Sequence, residues 1–591
     1  MHTNLRSFLQ QLRQSGQLVE IDAPVDPYLE LPEIHRRVID EQGPVLLFNN
    51  VKGKDFPVVT NLFGTAARVD MAFGPKPENI VQQLVGSIDK LLPPKLSALW
   101  ELRNPLLGVM KTGTRTVPMS QAPVTGVHAI GDDVDITKLP ALTGWHLDGG
   151  PFVTLPLVYT EHPETKEHNL GMYRIQIYDK NTTGMHWQIQ KGGGFHHHEA
   201  ELRNQALPTT LTIGGPPAMI ISAIAPLPEM VPELIFASLL MGDKLSMTEI
   251  PNHPHRIVSE AEFVFAGEVP AHVRRPEGPF GDHFGYYSWT HDFPVFNIKQ
   301  SFRRKDAIYP ATVVGKPRQE DYFIGEYLQR LLSPLFPVVM PGVKSLFTYG
   351  ETGFHALAGA VVRESYYKEA ISHAFRILGE GQLTLTKFLM VTDVPVDLAD
   401  FTTFLETVLA RFQPERDLLI VNDTSNDTLD YTGRKFNAGS KGVMLGIGQP
   451  IRELPRTYAG GSIPEISQAE VFCGGCLVIS GPTFEQEPEL AERLIAYANE
   501  NLKQWPMIVL TDDASIAKSE RSFLWSVYTR FDPAHDIYAK GTIVRNKIRY
   551  EGPIIIDARM KPFYPDVVET LPEIDKLVTD RWNEYFGKKV Y

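Results

Sequence analysis

Cysteine is nearly absent: 591 residues contain two, Cys473 and Cys476. They form a single CGGC pair, and no second CxxC completes a four-ligand zinc site. Val471, Phe472, Leu477, Val478 and Ile479 around them read as buried strand, so two structural cysteines at a glycine bend are expected. Positive charge is also short. Lys and Arg number 57 against 70 Asp and Glu, giving a net charge of −13, and the one basic run is Arg303-Arg304-Lys305. That argues against a groove tracking nucleic-acid phosphates. No run of about 18 apolar residues is present, and the opening MHTNLRSFLQQLRQ has no apolar signal core. A cytoplasmic location is expected, with association to a membrane surface through a patch left open.

What the chain does have is core-forming material. Its 43% hydrophobic and 21% charged residues are those of a globular protein, and its length suits two to four domains at about 100–200 residues each. The expected class is α/β, in three parts. Residues 1–115 read as an α/β domain. Leu5, Phe8, Leu9 and Leu12 keep helical spacing up to Gly16, VLLFNN and FPVVTNLFG resemble strands, and ENIVQQLVGSIDKLL a helix. Residues 116–325 carry short strand signals between Gly/Pro turns: FVTLPLVYT, GMYRIQIYD, TTLTIGG, AMIISAIA, EFVFAGEV and FPVFNIKQSF, a β-barrel or sandwich pattern. One helix interrupts them in PEMVPELIFASLLMGD, with Pro232 near its start and Gly242 at its stop.

Residues 326–591 return to α/β and contain a repeat. Segment 388–417 matches 507–536 without a gap at an offset of 119, and Thr392, Asp393, Phe404, Leu405, Val408, Arg411, Phe412, Pro414 and Asp417 recur. A duplicated unit with a structural role is expected.

The chemistry concentrates in the middle part. In EGPFGDHFGYY, 277–287, two acids flank a Pro-Phe-Gly turn. Five helical steps at ~100° each would set Glu277 and Asp282 about 140° apart, and Gly278, Pro279 and Gly281 oppose a helix in any case. A bent loop can turn both acids into one cavity. In HNLGMYRIQIYD, 168–179, strand periodicity places Arg174 opposite Tyr173, Ile175 and Ile177. A guanidinium there suits a substrate carboxylate or phosphate, or simply faces solvent. Lys191 followed by three glycines offers backbone N–H groups to an anion. His196-His197-His198-Glu199 invites a metal, although adjacent side chains diverge. Glu233 complements its helix dipole or serves a divalent ion with an amide oxygen such as that of Asn169.

Taken in order, NLGMYR, GMHWQIQKGG, APLPEMVPEL and EGPFGDHFGYY resemble the UbiD-type decarboxylases. The segments FLQQLRQSGQLVEIDAPVDPYLELPEI and PVLLFNNVKG resemble in particular the 4-hydroxy-3-polyprenylbenzoate decarboxylase branch. The resemblance runs from about residue 4 to about 450. It implies a split β-barrel binding prenylated FMN between two α/β domains, the last used for oligomerisation as a dimer or hexamer, with the cofactor phosphate held through Mn2+ and K+. It implies Asn169 and Glu233 as metal ligands and Met172, Tyr173, Arg174, His186, Trp187, Gln188, Lys191 and Gly192 as cofactor contacts. Arg174, Glu277 and Asp282 fall on its catalytic triad, Asp282 being the proton donor, with a pKa expected to be raised by Phe280, Phe284 and Tyr286. Two departures stand out. Lys191 occupies the place where the ferulic-acid branch has a metal-binding histidine, and the C-terminus holds an extra unit, its WSVYTRFDPA resembling the family's usual end. The implied substrate is a hydroxylated aromatic or an unsaturated acid, with a flavin prenyltransferase supplying the cofactor. Competing readings are a metal hydrolase built on residues 196–199 and a non-catalytic assembly protein.

Overall fold

In the computed structural model, which describes residues 2–91, 112–188, 191–225 and 232–587, the short apolar runs of the middle part pair into one eight-stranded antiparallel sheet. Its strands are β1 (Val127–Ile130), β2 (Pro156–Glu161), β3 (His168–Gly171), β4 (Thr182–Gly184), β5 (Leu207–Ile213), β6 (Phe263–Val269), β7 (Arg274–Glu277) and β8 (His291–Arg303). The main path runs β4-β8-β6-β5-β2-β3, and β1 and β7 also pair with the long β8. Both faces are covered, which explains why alternation in β6 is apolar on both sides. Phe263 and Phe265 join one core with Val158, Leu211 and Phe296. Val264 and Ala266 join a second with Leu157, Leu170, Phe302 and Leu234.

Two expected strands turned out differently. AMIISAIA forms the helix Ala218–Ile224. Its buried residues Ala218, Met219, Ile221 and Ser222 follow a helical step, and Pro216-Pro217 pre-set the first turn. Tertiary packing thus overrides the β propensity of its isoleucines. The run 168–179 is two strands, not one. β3 pairs with β2, Ile175–Gln176 pairs with Phe152–Val153, and 172–174 lie between them. The helix read from PEMVPELIFASLLMGD spans Glu233–Met241 and stops at Gly242 in the left-handed conformation; 226–231 lie outside the described residues.

Packing divides the chain into two units, Met1–Leu328 with Val567–Tyr591, and Gln329–Asp566. In the first, a four-stranded sheet takes Leu18–Ile21, Val45–Phe48 and Val58–Thr60 from the N-terminal part and Tyr309–Pro310 from beyond β8. The terminal helix Pro572–Phe586 lies on Glu30–Asp40, where Glu30 accepts from Arg581 and Tyr585 and Glu33 from Thr570.

The second unit holds two five-stranded sheets with the same order and strand directions. Elements recur at the sequence offset: Phe388–Thr392 with Met507–Thr511, Phe401–Leu409 with Glu520–Tyr528, Pro414–Asp417 with Pro533–Asp536. The recurring acids do the same work in each. Asp417 accepts from the Gln413 N–H and Asp536 from the Asp532 N–H, each closing its turn. Asp393 and Asp512 likewise accept from the backbone at Gly448 and Met560. Cys473 and Cys476 face each other across a Gly-Gly hairpin, both buried and free. Among the described residues no helix is long and apolar enough to cross a membrane.

Candidate active site

Glu277 ends β7, paired with His291 of β8. The chain then doubles back as a small hairpin instead of continuing as strand. Asp282 N–H donates to Tyr286 O (2.9 Å) and Ser288 N–H to Phe280 O (2.8 Å). The hairpin is pinned from outside by Asp148, whose Oδ1 accepts from Gly281 N–H at 2.8 Å while Oδ2 accepts from Gly144 and Trp145. Burial pushes the Asp148 carboxyl up to about 6, partly offset by those N–H donors. A Cβ at position 281 would sit 2.1 Å from Trp145 Cδ1, so only glycine allows this approach. Gly281→Ala is therefore expected to cost about 1–3 kcal/mol of stability by overpacking, read as a lowered Tm, and to cut activity by displacing the adjacent Asp282.

Arg174 reaches this hairpin from the break after β3. Its Nε donates to Glu277 Oε1 (3.0 Å), Nη1 to Asp282 Oδ2 (2.5 Å) and Nη2 to Ser288 Oγ (3.0 Å). The guanidinium lies 4.8 Å over the Phe280 ring. Glu277 is fully buried, and its other oxygen is 2.6 Å from His186 Nδ1. Facing a carboxylate, that nitrogen is the donor. Burial by itself would raise the Glu277 pKa. The charge of Arg174 and the bond from His186 more than offset it and hold the carboxyl down at about 2. His186 is shifted down, first by burial and then by Arg174.

Asp282 overturns one expectation. Its pKa is lowered, not raised, because burial is outweighed by the His283 side chain, the Arg174 charge and the His283 N–H. Phe280, Phe284 and Tyr286 are buried, as is Asp282, but a guanidinium and an imidazole bond the carboxylate directly. Asp282 Oδ1 lies 2.6 Å from both the His283 backbone N and its Nδ1. With these partners the acid is ionised.

Of the other predicted residues, Tyr173 and Trp187 are chain neighbours of Arg174 and His186. Tyr173 Oη takes hydrogen bonds from Asn169 Nδ2 (3.3 Å) and the Gly193 N–H (3.2 Å), and its ring meets Trp187 edge-on. Gly192 lets the chain pass Asn169, since a Cβ there would lie 2.3 Å from its Oδ1. The Lys191 N–H donates to Gln188 O, and the glycine run opens the helix Gly192–Leu202 instead of a loop. Met172 packs on the second core. Glu233 starts its helix with Oε2 3.8 Å from His168 Nε2, both atoms buried without a hydrogen-bond partner. Burial raises the Glu233 pKa. His186 Nε2 and Trp187 Nε1 are likewise buried and unpartnered. Buried polar atoms of this kind suit a polar ligand or a cation.

The histidine run does not converge. His196 Nδ1 bonds Thr160 Oγ1, His197 approaches the Pro270 carbonyl and Glu201, His198 is exposed, and Glu199 pairs with Arg203. On one helix, adjacent residues are splayed ~100° apart. Among the described residues no group of three or more His, Cys, Asp or Glu is placed to hold a metal. Asp148, Ser288 and His283 were not read from sequence. Asp148 and Ser288 meet their partners 133 and 114 positions away, which no local pattern signals. His283 lay in plain view beside Asp282.

Profile comparison matches residues 9–88, 115–317 and 322–446 to the N-terminal, Rift-related and C-terminal domains of 3-octaprenyl-4-hydroxybenzoate carboxy-lyase. A Chlamydia pneumoniae protein, named as one of the subunits of 4-hydroxybenzoate decarboxylase, is 51% identical over 589 residues, 99% of each chain. An Archaeoglobus fulgidus protein is 34% identical over 76% of this chain and 91% of its own. Among solved structures, vanillic acid decarboxylase of Sedimentibacter hydroxybenzoicus in closed form superposes with TM-score 0.67 at 22% identity, covering 84% of this chain and 99% of that one. The UbiD-class enzyme HmfF of Pelotomaculum thermopropionicum, in complex with FMN, gives 0.63 at 23%, covering 78% and 97%.

Proposed function

The chain belongs to the UbiD family of carboxy-lyases, and from that premise we propose that it is a prenylated-FMN-dependent decarboxylase of a hydroxylated aromatic acid. The observation that carries this reading is the Arg174 guanidinium held between Glu277 and Asp282 in a buried site. The substrate class is supported by the names of the Chlamydia pneumoniae and Sedimentibacter proteins. The flavin is supported by HmfF, whose structures contain FMN and, in an evolved dimeric form, prenylated FMN.

Loss of CO2 from an sp2 carbon leaves an electron pair that no side chain can absorb, and the modified flavin supplies that electron sink. His186, Trp187, Tyr173, Met172, Gln188, Lys191, Gly192 and Arg174 would hold it. Asn169 and Glu233 would ligate Mn2+ or K+ at its phosphate, with Lys191 pairing that phosphate. The buried, unpartnered Glu233 Oε2, His186 Nε2 and Trp187 Nε1 fit such occupants.

Arg174 binds the substrate carboxylate, and Glu277 and Ser288 fix the plane of the guanidinium. A carboxylate taking Nη1 deprives Asp282 of that counter-charge. Burial then counts for more, the affinity of Asp282 for a proton rises, and it can protonate the carbon that CO2 leaves. The depressed pKa beside Arg174 and an acid role once a substrate holds that guanidinium are thus two states of one ion pair.

The eight-stranded sheet is the split barrel in this reading, within three domains over 1–115, 116–325 and 326–591. The last holds a duplicated unit, supported by its two matching sheets, and serves self-association. A flavin prenyltransferase is the cofactor's supplier.

Glu233→Ala tests the cofactor assignment. Purified after co-expression with that prenyltransferase, it is expected to lose metal and flavin together, read by elemental analysis and absorbance. A variant that keeps both at wild-type stoichiometry would refute the assignment.

A further inference from the structure

We propose that His283 is the positioning residue through which Asp282 is recharged, the pair forming a two-residue proton relay to solvent. The inference rests on the decarboxylase reading.

Each turnover of such a reaction consumes a proton, and the geometry shows where one can enter. Asp282 has no route of its own. Its side chain is 8% exposed, Oδ2 is taken by Arg174, and Oδ1 faces His283 twice, through the backbone N–H and through Nδ1, each at 2.6 Å. The His283 side chain is 27% exposed, so one ring spans the distance between the enclosed carboxylate and the outside. A purely structural cap needs only the backbone N–H. The imidazole adds a second, titratable donor to the same oxygen.

The charged groups around the ring are consistent with a proton store. Asp282 lies on one side with Arg174 behind it. Asp321, in the first turn of the helix Glu320–Leu332, interacts with both His283 and Asp282, and burial pushes its carboxyl up to about 6. Both carboxyls interact with the one imidazole, so a proton on the ring is stabilised by each of them.

The balance closes without another reactant. The C–CO2 bond breaks, and over the whole reaction its electron pair ends in the new C–H bond. The Asp282 O–H bond breaks as the new C–H bond forms. Asp282 then takes the Nδ1 proton of the His283 imidazolium, and rotation about Cβ–Cγ exposes Nδ1 to solvent, where the ring regains its proton. The net change is one carboxylate and one proton converted to product and CO2.

The test uses flavin-loaded protein and an acid that the wild type decarboxylates. His283→Gln and His283→Ala are expected to lower kcat about 100-fold, at the low end of general acid–base effects, with KM within twofold. Imidazole in the buffer is expected to restore turnover to His283→Ala and to leave the wild type unchanged. Wild-type kcat and an unchanged pH profile in His283→Gln, or no response of His283→Ala to imidazole, would overturn the relay. A second measurement needs no turnover. In protein labelled at histidine Cε1, with the His283 signal assigned by its loss in His283→Gln, this ring is expected to keep its proton to higher pH in the wild type than in Asp282→Asn. Identical titrations would overturn the proposal. A wild type inert toward every acid would count against the decarboxylase reading, while the titration still judges the relay.

Discussion

Asp282→Asn is expected to lower turnover by at least about a hundredfold, the lower end of what a positioned general acid contributes, while the flavin stays bound. The amide is nearly isosteric, so the hairpin bond from Asp282 N–H to Tyr286 O and the Ser288 contacts can persist. What disappears is the ionisable carboxylate, whose Oδ2 Arg174 holds at 2.5 Å and whose Oδ1 His283 holds at 2.6 Å. The loss should fall on kcat more than on KM, because the residue acts after the carboxylate has been bound. Rapid-quench assays on flavin-loaded protein check this, with the absorbance spectrum confirming that the cofactor is retained. Undiminished decarboxylation would remove Asp282 from the chemistry.

Arg174→Ala carries the largest expected effect on both stability and activity. It strips the cation from two enclosed carboxylates, and removal of one partner from a buried ion pair typically costs about 3–5 kcal/mol. The pH dependence gives a sharper signature than the size. In the wild type the folded Glu277 pKa is depressed to about 2. That group therefore contributes stability, on the order of 3 kcal/mol, that is present above the ordinary carboxyl range and lost as pH falls toward 2. Without Arg174, burial dominates, the folded pKa rises above the unfolded one, and the sign reverses. The variant should gain stability on acidification from pH 8 to pH 5, where the wild type gains none from this group. Urea denaturation across that range reads the difference. Parallel curves would show that the guanidinium does not set the charge state of this site. Turnover should vanish with the substrate's binding group.

Much of this was legible because it is local. The Gly/Pro spacing of EGPFGDHFGYY excluded a helix and forced the bend that brings Glu277 and Asp282 to one guanidinium. The repeat at 388–417 and 507–536 could be read because its recurring positions are turn-closing acids and helix-face aromatics, whose jobs depend on near neighbours. Failures came where packing decides. Ala218–Ile224 has strand-like composition but helical burial. Tyr309–Pro310 and Pro572–Phe586 return to the N-terminal sheet and to the helix Glu30–Asp40 without any local mark of it. The charge state of Asp282 follows first from the imidazole of the adjacent His283, whose hydrogen bond to the carboxylate the sequence shows only as a neighbour, and then from a guanidinium more than a hundred residues away.

The most direct test is proton delivery at the vacated carbon. Flavin-loaded wild type is incubated in D2O with hydroxylated benzoic and naphthoic acids, alongside Arg174→Ala and Asp282→Asn, and products are analysed by NMR. The expected result is CO2 release with one deuterium at the carbon that bore the carboxylate, in the wild type alone. Deuterated product formed as readily by either variant, or a flavin-loaded wild type that decarboxylates none of these acids, would contradict it.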